Sequence, residues 1–144
     1  MATTKRQADA IWEGSLQEGK GRVSFPSGAV GELPVTWAAR SQRADGKTSP
    51  EELIAAAHAT CFSMALSNIL NGEGSPPDSL EVSATCTLSL DPLKISNMDL
   101  EVRGVVPGID EGAFEKAALE AKDGCPVSGA LKNNLEISVQ ATLA

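Results

Sequence analysis

The residues with the clearest capacity for chemistry in this chain of 144 residues are three cysteines and one histidine. Cys61 and Cys125 lie 64 positions apart, Cys86 lies between them, and His58 precedes Cys61 by three positions. Thiols can act as nucleophiles, redox centres or metal ligands. The odd number of cysteines, together with an N-terminus that lacks the apolar stretch of a secretory signal, argues against a secreted disulfide framework. We therefore expect a cytoplasmic protein.

The expected local environments distinguish the three thiols. Cys86 falls on the apolar side of a strand pattern, where a buried cysteine acts as a small hydrophobic side chain. Cys125 directly precedes Pro126 near the start of a helix, with Lys122 close by, and both features stabilise a thiolate. Cys61 lies in an apolar helix, where burial raises the pKa of a thiol unless a cation is supplied from elsewhere. Taken alone, the residue types favour Cys125 as the reactive thiol.

A metal site is the first alternative use of these residues. His58 and Cys61 share a helical face because they are three residues apart, and Cys125 could supply a third ligand. The sequence offers no fourth ligand at a recognisable spacing and no C-x-x-C pair. A metal- or ligand-binding module therefore stays open, next to the simpler interpretation of His58 as a hydrogen-bonded interior residue.

Composition and charge limit the remaining function classes. Nineteen acidic residues against twelve basic residues give a net charge of −7, which disfavours binding to a phosphate backbone. The chain has no uninterrupted run of about 18 apolar residues, so that no membrane partner is expected. The apolar content of 42% and the charged content of 22% are ordinary for a globular protein. The length predicts a single domain over residues 1–144.

One helix is predicted with unusually uniform apolar character. Ser49 is a good N-cap, Pro50 suits the first helical position and Glu52 completes a capping box, and the helix should end at about Leu70. Only one histidine, one threonine and one serine interrupt the apolar side chains between residues 53 and 66. A helix that is apolar nearly all round must be buried on most sides. We expect a homodimer in which two copies of this helix pack together; the alternative is that the chain's own sheet and second helix cover it.

The elements around this helix predict an α+β fold with mostly antiparallel strands. Alternating apolar and polar residues predict half-buried strands. Asp110 should cap a helix that ends near Gly124, a short helix should start at Cys125-Pro126, and the polar stretch 40–47 should be a loop. The expected strands are one ending near residue 14 and those at 22–25, 32–37, 80–90, 100–106 and 135–143.

Two segments carry a resemblance to a known family. Residues 49–66 read SPEELIAAAHATCFSMAL, and residues 125–128 read CPVS. This pair closely resembles the OsmC/Ohr family of thiol-dependent hydroperoxide reductases, and essentially the whole chain is covered. Residues 10–14, residues 106–110 and His58 resemble the OsmC branch. The resemblance implies an OsmC-like fold, with antiparallel sheets wrapped around central apolar helices in an intertwined homodimer.

The resemblance also implies roles for individual residues. The family's peroxide-attacking cysteine matches Cys61, and its resolving cysteine matches Cys125. Its active-site arginine matches Arg40, with Arg43 as a competitor because the loop here is one residue longer than expected. The glutamate that pairs with this arginine matches Glu51. Cys61 is thus favoured as the nucleophile by the resemblance, although the residue types alone favour Cys125.

The two interpretations agree if Arg40 reaches Cys61 and stabilises its thiolate, with Glu51 orienting the guanidinium through charge-assisted hydrogen bonds. Glu51 and Cys61 are ten residues apart, which is about 15 Å along an ideal helix. Glu51 therefore cannot easily serve the Cys61 of its own chain. We expect each site to combine Cys61 and Cys125 of one chain with Arg40 and Glu51 of the other.

The activity implied by the resemblance is reduction of organic hydroperoxides, and of hydrogen peroxide, through a Cys61 sulfenic acid and a Cys61–Cys125 disulfide. An external dithiol, of the dihydrolipoyl type in related proteins, would reduce that disulfide. No metal, haem or flavin cofactor is implied. A second alternative is a non-enzymatic stress protein in which the same disulfide only stabilises the dimer core.

Overall fold

A computed structural model describes residues 2–144, which form two compact units. The first unit ends at Pro50, and the second covers Glu51–Ala144. Each unit combines helix with a three-stranded sheet. The predicted α+β class is therefore confirmed, whereas the single domain over residues 1–144 stays a prediction.

The first unit is an antiparallel meander followed by a short helix. Its strands are β1 (Asp9–Glu13), β2 (Lys20–Ser24) and β3 (Glu32–Val35), which pair in the order β1-β2-β3. The predicted third strand was too long, and the predicted loop at 40–47 was wrong at its start, because helix α1 covers Trp37–Ser41. Thr36 causes both differences: its Oγ1 accepts a hydrogen bond of 3.1 Å from the Ala39 amide and caps the helix.

The second unit is built on the long helix and a second sheet. Helix α2 runs from Pro50 to Gly72 and begins at the proline, as predicted. The remaining elements are β4 (Ser79–Leu90), β5 (Leu93–Val105), α3 (Glu111–Gly124), α4 (Pro126–Leu131) and β6 (Glu136–Leu143). Asp110 caps α3 by accepting a bond of 2.8 Å from the Ala113 amide, also as predicted.

The second sheet departs from the antiparallel expectation at one pair of strands. Its order is β4-β5-β6; β4 and β5 pair antiparallel, whereas β5 and β6 pair parallel. The chain between β5 and β6 passes through α3 and α4, and such a crossover returns the next strand in the same direction. Strand β5 also begins at Leu93 rather than at the predicted residue 100, because it pairs with the whole length of β4.

The core of this unit lies between one face of the sheet and the helices α2 and α3. Along β5, Met98, Leu100 and Val102 are buried, while the residues between them face solvent. Burying these alternate side chains supplies the main stabilising free energy of the unit. The buried residues of the helices that join them are Phe62, Leu66, Leu70, Phe114, Ala117, Ala118 and Ala121.

Only part of helix α2 is covered by this core. Phe62, Leu66 and Leu70 are buried on one side, whereas Met64 is 67% exposed on another. By length and composition alone the helix could cross a membrane: an 18-residue window has a mean hydropathy of 1.5, and 22% of that window is buried inside the chain. Core helices of soluble proteins meet the same criterion.

Gly104 offers a test of how tightly β5 packs against α3. A Cβ atom at this position would lie 2.5 Å from Cζ and 2.7 Å from Cε1 of the buried Phe114 ring. We expect Gly104→Ala to lower the free energy of unfolding by about 1–3 kcal/mol through overpacking. Urea denaturation would measure the loss. Gly112→Ala is the matched control in α3, since its Cβ meets an ordinary contact at 3.6 Å; an equal effect of both substitutions would contradict the packing.

Candidate active site

The second unit brings Cys61 and Cys125 together. Cys61 lies in the middle of α2, Cys125 lies between α3 and α4, and their sulfur atoms are 2.8 Å apart. All three cysteines are free thiols. Cys125 is buried and Cys61 is half-buried, so Cys61 presents the more accessible sulfur of the pair. The proximity of two reduced thiols allows a disulfide to form between them after oxidation of either one.

Pro126 is the local cause of this placement. A residue before proline is pushed away from the helical region, and Cys125 accordingly has φ −67° and ψ 127°. The Cys125 amide still donates to the Ala121 carbonyl at 2.9 Å, and its own carbonyl accepts from the Gly129 amide at 3.0 Å. Cys125 thus ends α3 and begins α4, and the change of direction places its thiol against α2.

The groups that surround Cys61 within this chain disfavour the thiolate form of its side chain. Burial raises the pKa of the Cys61 thiol, and the neighbouring Cys125 thiol raises it further, while the backbone amide of Val127 lowers it through a hydrogen bond. The net shift is upward. This agrees with the expectation that reactivity at Cys61 needs a cation delivered from elsewhere.

Lys122, the residue expected to stabilise a Cys125 thiolate, makes a hydrogen bond to a backbone carbonyl. Lys122 was predicted to support a Cys125 thiolate, but its amine donates to the carbonyl of Ile137 at 3.5 Å. A thiolate on Cys125 stays a prediction.

A buried pair of polar side chains lies beside the two cysteines. His58 Nε2 and Ser128 Oγ are 2.7 Å apart, and His58 and Ser128 are 0% and 2% exposed. Nδ1 of His58 has no hydrogen-bond partner among residues 2–144. Burial lowers the pKa of His58, so that the ring is neutral at pH 7. The interior role predicted for His58 is confirmed, whereas Ser128 was not singled out from the sequence, although it follows Cys125 at the same three-residue spacing.

Glu51 lies at the N-terminal end of α2, whereas Cys61 lies in the middle of that helix. Glu51 occupies the first turn of the helix and is 7% exposed. Burial raises the pKa of the Cys86 thiol, and the negative charge of Glu51 raises it further. Cys86 is half-buried and packs against the hydrophobic core, as predicted. Because α2 is continuous from Pro50 to Gly72, Glu51 and Cys61 of one chain are separated by about 15 Å along the helix.

The two candidate arginines belong to the first unit. Arg40 lies in the last turn of α1 with its guanidinium carbon 6.0 Å from the centroid of the Trp37 ring, within the range of a cation–π contact. Arg43 follows that helix and is exposed.

The alternative metal site finds no support in the described part of the chain. Among residues 2–144, no group of three or more His, Cys, Asp or Glu side chains is placed to hold a metal ion. The Nε2 atom of His58 is directed at the Ser128 hydroxyl.

The amino-acid sequence of the chain is similar to those of known proteins. Residues 43–140 match the family model described as OsmC-like protein. The chain is 41% identical over 142 residues to the peroxiredoxin OsmC of Escherichia coli strain K12, covering 96% of this chain and 97% of that protein. It is 33% identical over 101 residues to the organic hydroperoxide resistance protein-like 1 of Staphylococcus epidermidis, covering 68% and 72%.

Solved structures show the same fold. A crystal structure described as an organic hydroperoxide resistance protein OsmC from Legionella pneumophila matches with a TM-score of 0.71 at 21% identity, covering 97% of this chain and 99% of that one. The organic hydroperoxide resistance protein OhrB of Bacillus subtilis matches with a TM-score of 0.70 at 21% identity, covering 94% and 98%. The expected OsmC-like fold is confirmed.

The burial of His58 predicts a specific dependence of stability on pH. Its pKa in the folded chain is below the ordinary value of 6.5, so the unfolded chain binds more protons as the pH falls through 6.5. The free energy of unfolding should therefore decrease below that pH, by up to about 1.4 kcal/mol per pH unit. Urea unfolding at pH 7.5, 6.5 and 5.5 would measure this loss.

His58 is the only histidine of the chain, so His58→Gln removes the effect without replacing it by another imidazole. The variant should lose less stability than the parent between pH 7.5 and 5.5 at the same protein concentration. Identical pH profiles of the parent and the variant would contradict a buried neutral His58.

Proposed function

Since this chain belongs to the OsmC-like protein family, we propose that it is a thiol-dependent peroxidase that reduces organic hydroperoxides, and hydrogen peroxide, through Cys61 and Cys125. The observation that carries the proposal is the distance of 2.8 Å between the two sulfur atoms. The names of its relatives, a peroxiredoxin and organic hydroperoxide resistance proteins, support the activity of a cysteine-based peroxidase.

The reaction starts at Cys61. Its thiolate attacks the outer oxygen of ROOH, an S–O bond forms, the O–O bond breaks, and the leaving alkoxide takes up a proton to become ROH. Cys61 is thereby oxidised by two electrons to a sulfenic acid. The Cys125 thiolate then attacks the Cys61 sulfur, the S–S bond forms, and hydroxide leaves as water after protonation. The sulfur atoms are close enough for this second step without movement of a helix.

Activation of Cys61 is the part of the proposal that needs residues beyond the cysteine pair. Burial keeps the pKa of this thiol high, so a guanidinium has to approach the sulfur to favour the thiolate. We assign this role to Arg40, and assign to Glu51 the orientation of its guanidinium. The length of helix between Glu51 and Cys61 supports an arrangement in which both groups come from a second chain.

A homodimer is the assembly that this arrangement requires. The apolar helix α2 has exposed surface around Met64, and no apolar residue among the described residues of the first unit is buried. Both features leave apolar surface in water, which association with a second copy would remove. A homodimer would also place two sets of Arg40 and Glu51 within one assembly.

Regeneration requires a dithiol from outside the chain. Cys61 is half-buried and Cys125 is buried, so we expect an incoming thiolate to attack the disulfide at Cys61. Attack there releases Cys125 as a thiol, and the second thiol of the reductant completes the exchange. A slender dithiol of the dihydrolipoyl type suits this access. A cytoplasmic location belongs to the proposal because that compartment supplies reduced dithiols.

The proposed roles of the cysteines can be tested by adding one equivalent of an organic hydroperoxide to the fully reduced chain. Intact mass over seconds should show loss of two hydrogen atoms in the parent and no oxidation in Cys61→Ser. Cys125→Ser should stop at a sulfenic acid, trapped as its dimedone adduct. Cys86→Ser is the matched control and should behave as the parent, since Cys86 packs against the core.

Two outcomes would contradict the proposal. The mirror pattern, with oxidation lost in Cys125→Ser and a sulfenic acid in Cys61→Ser, would exchange the roles of the two cysteines. Absence of rapid oxidation in every variant would leave the disulfide with a structural role in a non-enzymatic protein.

The arrangement across two chains is tested with mixed dimers of Arg40→Ala and Cys61→Ser chains. Each parent variant should be inactive as a homodimer, and the mixed dimer should recover one working site, because intact Cys61 and intact Arg40 then meet across the interface. Peroxide consumption per mixed dimer is the measurement. An inactive mixed dimer would show that the two residues act within one chain, and an active Arg40→Ala homodimer would move the role to Arg43.

A further inference from the structure

The contact between α2 and α4 consists of more than the two cysteines. From α4 and the residue that caps it, Cys125 presents its sulfur to Cys61 at 2.8 Å, and Val127 presents its amide to the same sulfur. One turn before Cys61 on α2 and one turn after Cys125 on α4, His58 and Ser128 meet at 2.7 Å. The helix pair is therefore held by a hydrogen bond that contains neither of the reacting atoms.

The hydrogen bond between His58 and Ser128 lies close enough to the two cysteines to influence the distance between their sulfur atoms. His58 precedes Cys61 by three residues on α2, and Ser128 follows Cys125 by three residues, so each partner lies one turn from a thiol. Helix α4 has only six residues and begins at a proline, and its last residue, Leu131, packs against the core. A shift of α4 would move the Cys125 sulfur and the Val127 amide together.

The tautomer of His58 and the burial of both residues favour a stable hydrogen bond between His58 and Ser128. A neutral imidazole that donates from Nε2 to the Ser128 hydroxyl leaves only a lone pair at the unpartnered Nδ1, whereas the other tautomer would bury an orphan N–H. Both residues are almost completely buried, so water does not compete for the bond. Removal of either partner leaves the other unsatisfied in the interior.

We propose that His58 and Ser128 are positioning residues that hold α4 against α2 and thereby keep the Cys125 sulfur within bonding distance of Cys61. The pair takes no part in the transfer of oxygen or electrons. Its effect is on the effective concentration of one thiol for the other, which governs how readily the Cys61–Cys125 disulfide closes. Its value to catalysis rests on the proposed function, but its effect on disulfide formation does not.

The test measures the disulfide without a peroxide. The reduced chain is equilibrated in buffers of reduced and oxidised glutathione, quenched with acid and alkylated, and the Cys61–Cys125 disulfide is quantified by peptide mass spectrometry. Ser128→Ala and His58→Leu should each lower the equilibrium constant for disulfide formation by roughly tenfold, the scale expected for loss of a buried hydrogen bond. The double variant should lose no more than either single variant, because both remove the same contact.

Two further variants separate positioning from general damage. His58→Gln should restore the equilibrium constant to near the parent value, since its amide nitrogen can donate to Ser128 in place of Nε2. Ser63→Ala is the matched control on α2, because its hydroxyl donates to the Thr60 carbonyl of its own helix at 2.8 Å, and it should leave the constant unchanged. Circular dichroism under the same conditions would verify that each variant is folded.

Some results of these experiments would overturn the positioning role of His58 and Ser128, and others would support it. An unchanged equilibrium constant in Ser128→Ala, a loss in Ser63→Ala as large as in Ser128→Ala, or a failure of His58→Gln to restore the parent value would each overturn the proposal. A loss in Ser128→Ala in a chain that does not consume peroxide would uphold the positioning role and reject the peroxidase. With an active parent, excess hydroperoxide should also convert more Cys61 to the sulfinic acid in Ser128→Ala, because Cys125 reaches the sulfenic acid more slowly.

Discussion

The break between α3 and α4 at Cys125 is the constraint on which the candidate site depends. A proline cannot follow a helical residue without a steric penalty, so Cys125 leaves the helical conformation and the chain turns at that point. Without the turn, α3 would continue along the sheet and the second thiol would be carried away from α2. Local backbone sterics at this dipeptide set the turn, and the packing of α4 against α2 then brings together two sulfurs that are 64 residues apart in the chain.

This placement has an electrostatic consequence. The side of α2 that faces the core excludes water, which stabilises the fold but raises the pKa of the Cys61 thiol. The second thiol raises it further, and a single backbone amide opposes both effects. A thiolate on such a helix is favoured by a positive charge supplied from another element. Burial also lowers the pKa of His58, which keeps its ring neutral, and it removes water that would compete for the hydrogen bond to Ser128.

Local signals predicted much of the fold because they act over a few residues. The proline at the start of α2, the aspartate that caps α3 and the alternation in β4 and β6 each specify an element without help from the rest of the chain. Two of the predictions that were wrong concern non-local pairing. The early start of β5 follows from its pairing with β4, and the parallel β5–β6 pair follows from a crossover through two helices. The short helix α1 was missed because its capping threonine lies at the end of a strand pattern.

By itself, the sequence determined the types of the reactive side chains, the helix that carries Cys61, the proline that turns the chain at Cys125 and, through its motifs, the resemblance to a family. Only the tertiary structure decided that the two sulfurs meet and that Ser128 is the partner of His58. The physical reason is that capping, sterics and periodicity are properties of neighbouring residues. Distances between side chains, and the burial that shifts their pKa values, arise only when helices distant in sequence pack against one another.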